Sequence, residues 1–325
     1  RYEFNKDLPE FDEERKQKII ESTGVVSRPI IDATQCTSDL VYQAAVNLIK
    51  QTGIDPDQIG VMILVTQTPD YILPATSCIL HNRLNLCNDT IVFDINLGCS
   101  GYIYGLYVAS TLLKNSDKSF ALLLAGDTIS KYASNDDAST RFIFGDAGSA
   151  TLLEKDESTN TMFFSLGTDG SGWQNLIIPA GGSRQKGNYE NNKITIDQDG
   201  NKRTAENLYM DGMEIFNFTI STVVPHIQYI IDKCGFPDIV VFHQANRYML
   251  EFMRKCLKIP KDKFLYSLGK YGNTSSASIP LTLCSELNKF DEPNKTLLSG
   301  FGVGYSWGSA MLNLQDTLLL NIYEI

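Results

Sequence analysis

The run Ile91-Val-Phe-Asp-Ile-Asn-Leu-Gly98-Cys99-Ser100-Gly101 passes from a continuous apolar segment into small residues, and residues 102–113 form a second apolar segment directly after it. A buried strand that turns through glycines into a helix is the elementary unit of an α/β protein. The same order returns far downstream. Ile239-Val-Val-Phe-His243-Gln-Ala-Asn246 is another buried-strand pattern, and Gly272-Asn273-Thr-Ser-Ser-Ala277 is another turn of small residues ahead of a helix.

The residues around these stretches form an internal repeat. In the first half the pattern predicts a strand at 61–66, a helix at 75–86, a strand at 91–97, a helix after Cys99, and closing strands at 120–126 and 145–154. The second half repeats it with a strand at 239–242, a helix at 248–257, a strand at 264–268, a helix after Asn273, and closing strands at 296–300 and 305–314. Gly126 lies 27 residues after Cys99, and Gly300 lies 27 after Asn273. The closing strands share letters, Gly148-Ser-Ala-Thr-Leu-Leu153 against Gly308-Ser-Ala-Met-Leu-Asn313. Two copies of one α/β unit follow. Alternation of strands with helices predicts mostly parallel sheets, covered on both faces because the strands are almost purely apolar. Residues 154–161 read as a polar connector, and residues 181–207 as a polar surface excursion.

A chain of 325 residues can bury a substantial core. No apolar run approaches the ~20 residues of a membrane span, and the N-terminus does not resemble a signal peptide. The chain starts at Arg1 rather than Met, which implies a native beginning upstream. With 28 basic and 38 acidic residues the net charge is −10, which argues against nucleic acid as the main partner. Seven scattered cysteines, an odd number, suit a reducing cytoplasm.

A lone cysteine is most often a buried structural thiol. Cys99 differs in context. The small residues around it allow close backbone approach, and the helix that follows puts a positive dipole end beside the thiol, which favours thiolate. Main-chain N–H groups at such a turn can also hold an oxyanion. His243 ends a buried strand; a satisfied core histidine is the bland alternative, but strand ends of α/β sheets are where sites form. Asn273 could be a plain turn or cap residue. In the repeat, however, it takes the place of Cys99, so the two loops should face one another.

Other motifs carry less. Gly304-Tyr-Ser306-Trp-Gly308 has the letters of a hydrolase elbow, but a strand follows it and His81, His226 and His243 all precede it. Gly302 and Gly304 fit a backbone-approach role better. Cys78, His81 and Cys87 lack a fourth partner, so no metal is expected. Arg247, Arg254, Lys255 and Lys258 give the helix after His243 a positive face. On an acidic protein such a patch is either a solvated face or a docking surface for an acidic macromolecule.

The motifs Asn96-Leu-Gly-Cys99-Ser-Gly-Tyr, Phe144-Gly-Asp-Ala-Gly-Ser-Ala, His243-Gln-Ala-Asn246, Gly272-Asn273-Thr-Ser-Ser-Ala-Ser and Phe301-Gly-Val-Gly-Tyr-Ser-Trp-Gly-Ser-Ala resemble those of the β-ketoacyl-[acyl-carrier-protein] synthases III of the thiolase superfamily. The likeness runs from about Thr23-Gly24 onward. It implies a thiolase-like α/β fold of five layers, α-β-α-β-α, with halves at residues 1–160 and 161–325 and a first strand that would precede Arg1. It implies that Cys99 holds an acyl group as a thioester. His243 and Asn273 would donate hydrogen bonds to the thioester carbonyl of a malonyl-carrier-protein, stabilising the enolate that decarboxylation makes. The backbone of Cys99 and of the Gly302-Val303-Gly304 loop would hold the acyl oxyanion, and Phe301 would line the pocket. Acyl carrier protein would dock on Arg247, Arg254, Lys255 and Lys258. A homodimer is implied, with Leu73 reaching a neighbour's acyl pocket. No metal or redox cofactor is implied.

Departures bear on substrate. The Trp and Arg with which relatives clamp coenzyme A are replaced by Lys18 and Ser22, which favours a carrier-protein thioester as donor. Leu73 stands where a Phe is usual and would admit a longer or branched chain. Val303 crowds a loop that is otherwise all glycine, and Cys256 replaces a docking lysine. The runner-up activity is acyl transfer to an amine or alcohol without condensation. A cysteine hydrolase and a silent scaffold are more distant, since neither calls for Cys99, His243 and Asn273 together.

Overall fold

The computed structural model describes residues 2–3, 13–156, 162–187, 192–287 and 295–325. Residues 157–161 of the predicted connector and 188–191 of the excursion lie outside the described residues.

Two four-stranded sheets form the frame. The first contains β1 (Ile59–Val65), β2 (Ile91–Ile95), β3 (Phe120–Asp127) and β4 (Ala147–Glu154), in the order β2-β1-β3-β4. The second contains β5 (Phe163–Thr168), β6 (Ile239–Phe242), β7 (Thr296–Gly302) and β8 (Ser306–Leu312), in the order β6-β7-β8-β5. β1 is parallel to β2 and β3, and β6 is parallel to β7; the other pairings are antiparallel. The sheets are thus mixed rather than mostly parallel. β7 and β8 are joined by the three-residue turn Val303–Tyr305, and a link that short can only return antiparallel.

The longer helices among the described residues are α1 (Glu13–Thr23), α2 (Thr37–Thr52), α3 (Thr76–Arg83), α4 (Gly101–Lys114), α5 (Val224–Cys234), α6 (Arg247–Cys256) and α7 (Ser278–Glu286). Strand side chains alternate between two faces, and in β1, β3, β6 and β7 both are buried. Met62 and Leu64 of β1 pack with Val41 of α2 and Leu80 of α3, whereas Val61, Ile63 and Val65 pack with Ile103 of α4 and Ile279 of α7. In β6, Val241 joins that central cluster, while Val240 and Phe242 pack with Ile227 of α5 and Leu250 of α6. The result is five layers, with α4 and α7 sandwiched between the sheets.

Two elements differ from expectation. Residues 264–268 are not a strand; Phe264 makes a single bridge to Val240. The Gln244 side chain takes over the ladder's role, accepting from the Ser267 N–H at 3.0 Å and donating to the Phe242 carbonyl at 2.8 Å. In the first sheet, no described strand flanks β4 as β5 flanks β8, and Tyr2–Glu3 pairs instead with Ser27–Arg28. The described part of the 181–207 excursion carries a small ladder, Thr195–Ile196 with Lys202–Arg203. Arg203 ties it down by ion pairs to Asp137 and Asp197.

Close packing of α2 on the first sheet depends on Gly148, where a Cβ would lie 2.6 Å from the Val41 nitrogen. Because the obstacle is backbone, Gly148→Ala should cost about 1–3 kcal/mol. A lower urea midpoint at unchanged slope is the expected reading.

Candidate active site

Cys99 sits between β2 and α4, with its side chain buried. Strand β7 passes directly behind it. A Cβ on Gly300 would lie 2.5 Å from the Cys99 carbonyl oxygen, and one on Gly302 would lie 3.0 Å from its Sγ. Only glycine permits that approach. The turn is locked by Ser100 Oγ, 2.6 Å from Ser306 Oγ, which itself donates to the Val303 carbonyl. That contact gives Ser306 a structural place on β8. Gly304 adopts φ +69° and closes the turn.

His243 follows β6, its N–H donating to the Ser299 carbonyl at 2.8 Å. Its Nδ1 lies 2.8 Å from Ser278 Oγ at the start of α7, and its ring meets Phe301 edge-on at 5.9 Å between centroids. Asn273 is held by the opposite half. Its N–H donates to the Ile143 carbonyl, and its own carbonyl accepts from the Gly145 N–H. Gly272, at φ +65°, makes this approach possible, since a Cβ there would meet the Ile143 oxygen at 2.6 Å. Asn273 Oδ1 accepts from the Ser275 N–H at 2.9 Å, which leaves Nδ2 as the free donor. Cys99, His243 and Asn273 line one cavity of ≈ 60 Å³, with Phe301, Gly302, Met210, Ile215 and Met249 among its walls.

The electrostatics are those of a dry site. Burial pushes the Cys99 thiol up to about 12, and the Asp127 charge adds to this. The backbone N–H groups of Val303 and of Cys99 itself pull the other way, as does the Ser275 side chain. The helix dipole therefore does not make Cys99 a resting thiolate, because desolvation outweighs it. Burial also pushes His243 down to about 3, against a smaller opposing effect of the Ser275 backbone. His243 is a neutral ring across the physiological range.

Asp127 is the group that the sequence reading missed. It ends β3, is fully buried, and accepts from Gln67 N–H at 2.8 Å, Ser276 Oγ at 2.7 Å and Ser276 N–H at 3.1 Å. An acid after a fully apolar strand was the available signal. Ser275 and Ser278 lay in plain view inside a small-residue turn, where a serine has no distinguishing mark.

The outlying candidates are placed as follows. Leu73 lies outside the cavity in an exposed loop with Tyr71 and Ile72. Arg247 stacks over Tyr266, 4.1 Å from the ring centre. Arg254 is not an outward cation: it donates to Glu251 at 2.9 Å and to the Ile259 carbonyl at 2.7 Å. Both ends of its fork are used, one on a carboxylate of its own helix and one on the carbonyl of the loop that follows. Lys255 and Lys258 are exposed. Lys18 pairs with Glu14, and Ser22 bonds the Ile19 carbonyl. His81 contacts the Cys87 carbonyl at 2.9 Å, while the Cys87 thiol turns to Asp57.

Residues 93–170 match the family 3-oxoacyl-[acyl-carrier-protein (ACP)] synthase III, and residues 237–314 match the C-terminal part of that family. A Campylobacter jejuni protein, provisionally named as a 3-oxoacyl-[acyl-carrier-protein] synthase 3, is 40% identical over 315 residues, covering 95% of this chain and 87% of its own. The chain belongs to the 3-oxoacyl-[acyl-carrier-protein] synthase III family. A β-ketoacyl-[acyl-carrier-protein] synthase III of Caldanaerobacter subterraneus is 32% identical, covering 95% of this chain and 92% of its own. The crystal structure of a 3-oxoacyl-(acyl-carrier protein) synthase from Burkholderia xenovorans superimposes with a TM-score of 0.91 at 36% identity, covering 98% of this chain and 92% of that one. The fold is the thiolase-like fold of this synthase family.

With only His81, His226 and His243 in the chain, the histidine NMR spectrum is simple. The His243 ring signals should stay at their neutral positions from pH 8 down to about pH 5, whereas an ordinary histidine titrates near 6.5. An inflection of the His243 signals near pH 6.5 would contradict the burial argument.

Proposed function

We propose that Cys99 takes an acyl group from a thioester, and that His243 and Asn273 then drive its decarboxylative condensation with malonyl-acyl-carrier-protein to give a β-ketoacyl thioester. The observation that carries this reading is the convergence of a thiol, a neutral imidazole and an amide donor from two halves on one cavity. In the first stage the thiol sulfur attacks the acyl carbonyl, and the Cys99 and Val303 N–H groups, both already directed at Sγ, receive the oxyanion. In the second, the malonyl thioester carbonyl sits between His243 Nε2–H and Asn273 Nδ2–H. Loss of carbon dioxide leaves an enolate whose charge these neutral donors stabilise. The enolate carbon attacks acyl-Cys99 and expels the thiol.

The His243 role requires the Nε2–H tautomer, which holds when the Ser278 hydroxyl donates to Nδ1. A neutral ring suits this task, since it stabilises an anion without first needing a proton. Two donors aimed at a thioester carbonyl have little purpose in simple acyl transfer, which favours condensation over the runner-up. Each step moves only an acyl group, carbon dioxide or a proton, so the chemistry calls for no metal or redox cofactor.

A cavity of ≈ 60 Å³ with mostly apolar walls suits a slender thioester arm. Lys18 and Ser22 offer no aromatic surface for an adenine, which supports a carrier-protein thioester as acyl donor. Arg247, Lys255 and Lys258 form the basic face we assign to the carrier protein. A homodimer is part of the same reading. β2 is an edge strand of its sheet, and Ile91, Tyr71, Ile72 and Leu73 are at least half exposed. Leu73 would then reach the neighbour's acyl pocket. Seven free thiols fit a cytoplasmic setting.

Intact-protein mass spectrometry with a panel of acyl-coenzyme A and acyl-carrier-protein thioesters, followed by malonyl-carrier-protein, tests the proposal. An acyl adduct on Cys99 should persist until malonyl is added and then leave as a β-ketoacyl product. Discharge to an amine instead would transfer the protein to the runner-up class, and discharge to water to the hydrolase class. His243→Ala and Asn273→Ala should each slow malonyl decarboxylation by about 10²–10³-fold, read as carbon dioxide release. Lys255→Glu with Lys258→Glu should raise KM for the carrier-protein substrate about tenfold, and leave a pantetheine thioester unaffected.

A further inference from the structure

An amide that stabilises a developing charge works only if it is already aimed where that charge appears. The Asn273 backbone is pinned on one side, where its N–H and carbonyl pair with residues 143 and 145. The rest of its turn is bent against local preference. Gly272 adopts φ +65° and Ser275 φ +50°, and a non-glycine residue keeps a left-handed backbone only where its surroundings impose it. Asn273 Oδ1 accepts from the Ser275 N–H at 2.9 Å, so the direction of Nδ2 follows the conformation of Ser275. The next residue supplies the constraint. Ser276 is buried, and its N–H at 3.1 Å and its Oγ at 2.7 Å both donate to one oxygen of Asp127, Oδ2. The Val65 carbonyl lies 3.4 Å from the same Oγ, a much weaker contact than the 2.7 Å bond. The other oxygen, Asp127 Oδ1, takes the Gln67 N–H at 2.8 Å and the hydroxyls of Thr66 and Thr68 at 3.2 and 3.3 Å. One oxygen is thus fixed by the first half of the chain, and the other grips the turn of the second.

We propose that Ser276 and Asp127 are positioning residues for Asn273: the two bonds from Ser276 to Asp127 Oδ2 hold Ser275 left-handed, and so aim Asn273 Nδ2 at the malonyl thioester carbonyl. This rests on the reading of Asn273 as a donor to the enolate. Neither Ser276 nor Asp127 lines the cavity, so both act through Asn273. The arrangement serves the second stage of the reaction. Acylation of Cys99 draws on the N–H groups of Cys99 and Val303 and does not need the amide, whereas decarboxylation does. A misdirected Nδ2 would leave malonyl binding largely intact and slow the loss of carbon dioxide, because the bond to the oxygen strengthens only as the enolate forms.

Ser276→Ala removes the 2.7 Å bond and leaves the donors of the first half on Asp127, so it is the variant to read first. It should slow carbon dioxide release from malonyl-acyl-carrier-protein about tenfold more than it slows single-turnover acylation of Cys99 by hexanoyl-pantetheine, through kcat rather than KM. The deciding comparison repeats the substitution in Asn273→Ala. There Ser276→Ala should cost nothing further in decarboxylation, because the group it positions is gone. A tenfold loss in both backgrounds, or an equal fall of decarboxylation and acylation, marks Ser276 as merely structural and overturns the proposal. Asp127→Asn supplies a second cycle: its amide nitrogen must face one set of donors, and adding Ser276→Ala should slow it no further. Multiplying losses there overturn the part assigned to Asp127. Hydrogen exchange read by mass spectrometry needs no substrate. In Ser276→Ala the amides of residues 273–277 should exchange about tenfold faster, while those of residues 97–106 keep their rates. Unchanged exchange at 273–277 overturns the proposal. If the unmodified protein releases no carbon dioxide from malonyl-acyl-carrier-protein, the synthase reading fails, and exchange alone decides whether Ser276 holds the Asn273 turn.

Discussion

One buried carboxylate holds the two halves in register. Asp127 ends a strand of the first sheet, yet its bonds reach Gln67 in the same half and Ser276 in the other. A carboxyl group without solvent is tolerable only with full hydrogen bonding, so each donor around it is fixed in place. Ser276 lies three residues from Asn273, and Gln67 lies against Gly98, where a Cβ would meet its Oε1. The loops that carry the amide and the thiol are therefore anchored to one carboxyl group. Glycines at 272, 300 and 302 then let the two backbones approach to contact distance.

Around that anchor the cavity is dry, and dryness decides which chemistry is available. Desolvation penalises every charged form, so the thiol stays protonated and the imidazole neutral. Neutral donors in a low-dielectric pocket stabilise a developing oxyanion more strongly than the same groups would in water. A site built this way favours reactions whose charge appears on an oxygen in the transition state. It also makes the route of the thiol proton a mechanistic question, since solvent does not reach the sulfur freely.

Much of this was legible in the chain. The spacing of Cys99 to Gly126 and of Asn273 to Gly300 gave the repeat, and the uninterrupted apolar strands gave layers covered on both faces. Cys99, His243 and Asn273 stood out because each follows a buried strand or a glycine turn. The strand expected at 264–268 is reduced to one bridge between Phe264 and Val240, and beyond it the Gln244 side chain takes the Ser267 N–H. Spacing put Arg254 on the basic face of its helix, and the structure shows that its guanidinium is engaged by Glu251 and the Ile259 carbonyl, which the spacing does not reveal.

The sequence by itself determined the repeat, the layer pattern and the three polar residues at strand ends and glycine turns, because apolar periodicity and glycine placement are local properties. Tertiary structure alone decided that Asp127 bonds the loops of both halves, that His243 is neutral, and that Asn273 presents its Nδ2. The first depends on a partner 149 residues away and the others on burial and side-chain packing. Neither the solvation of a group nor the direction of its hydrogen bond is written in its neighbours along the chain.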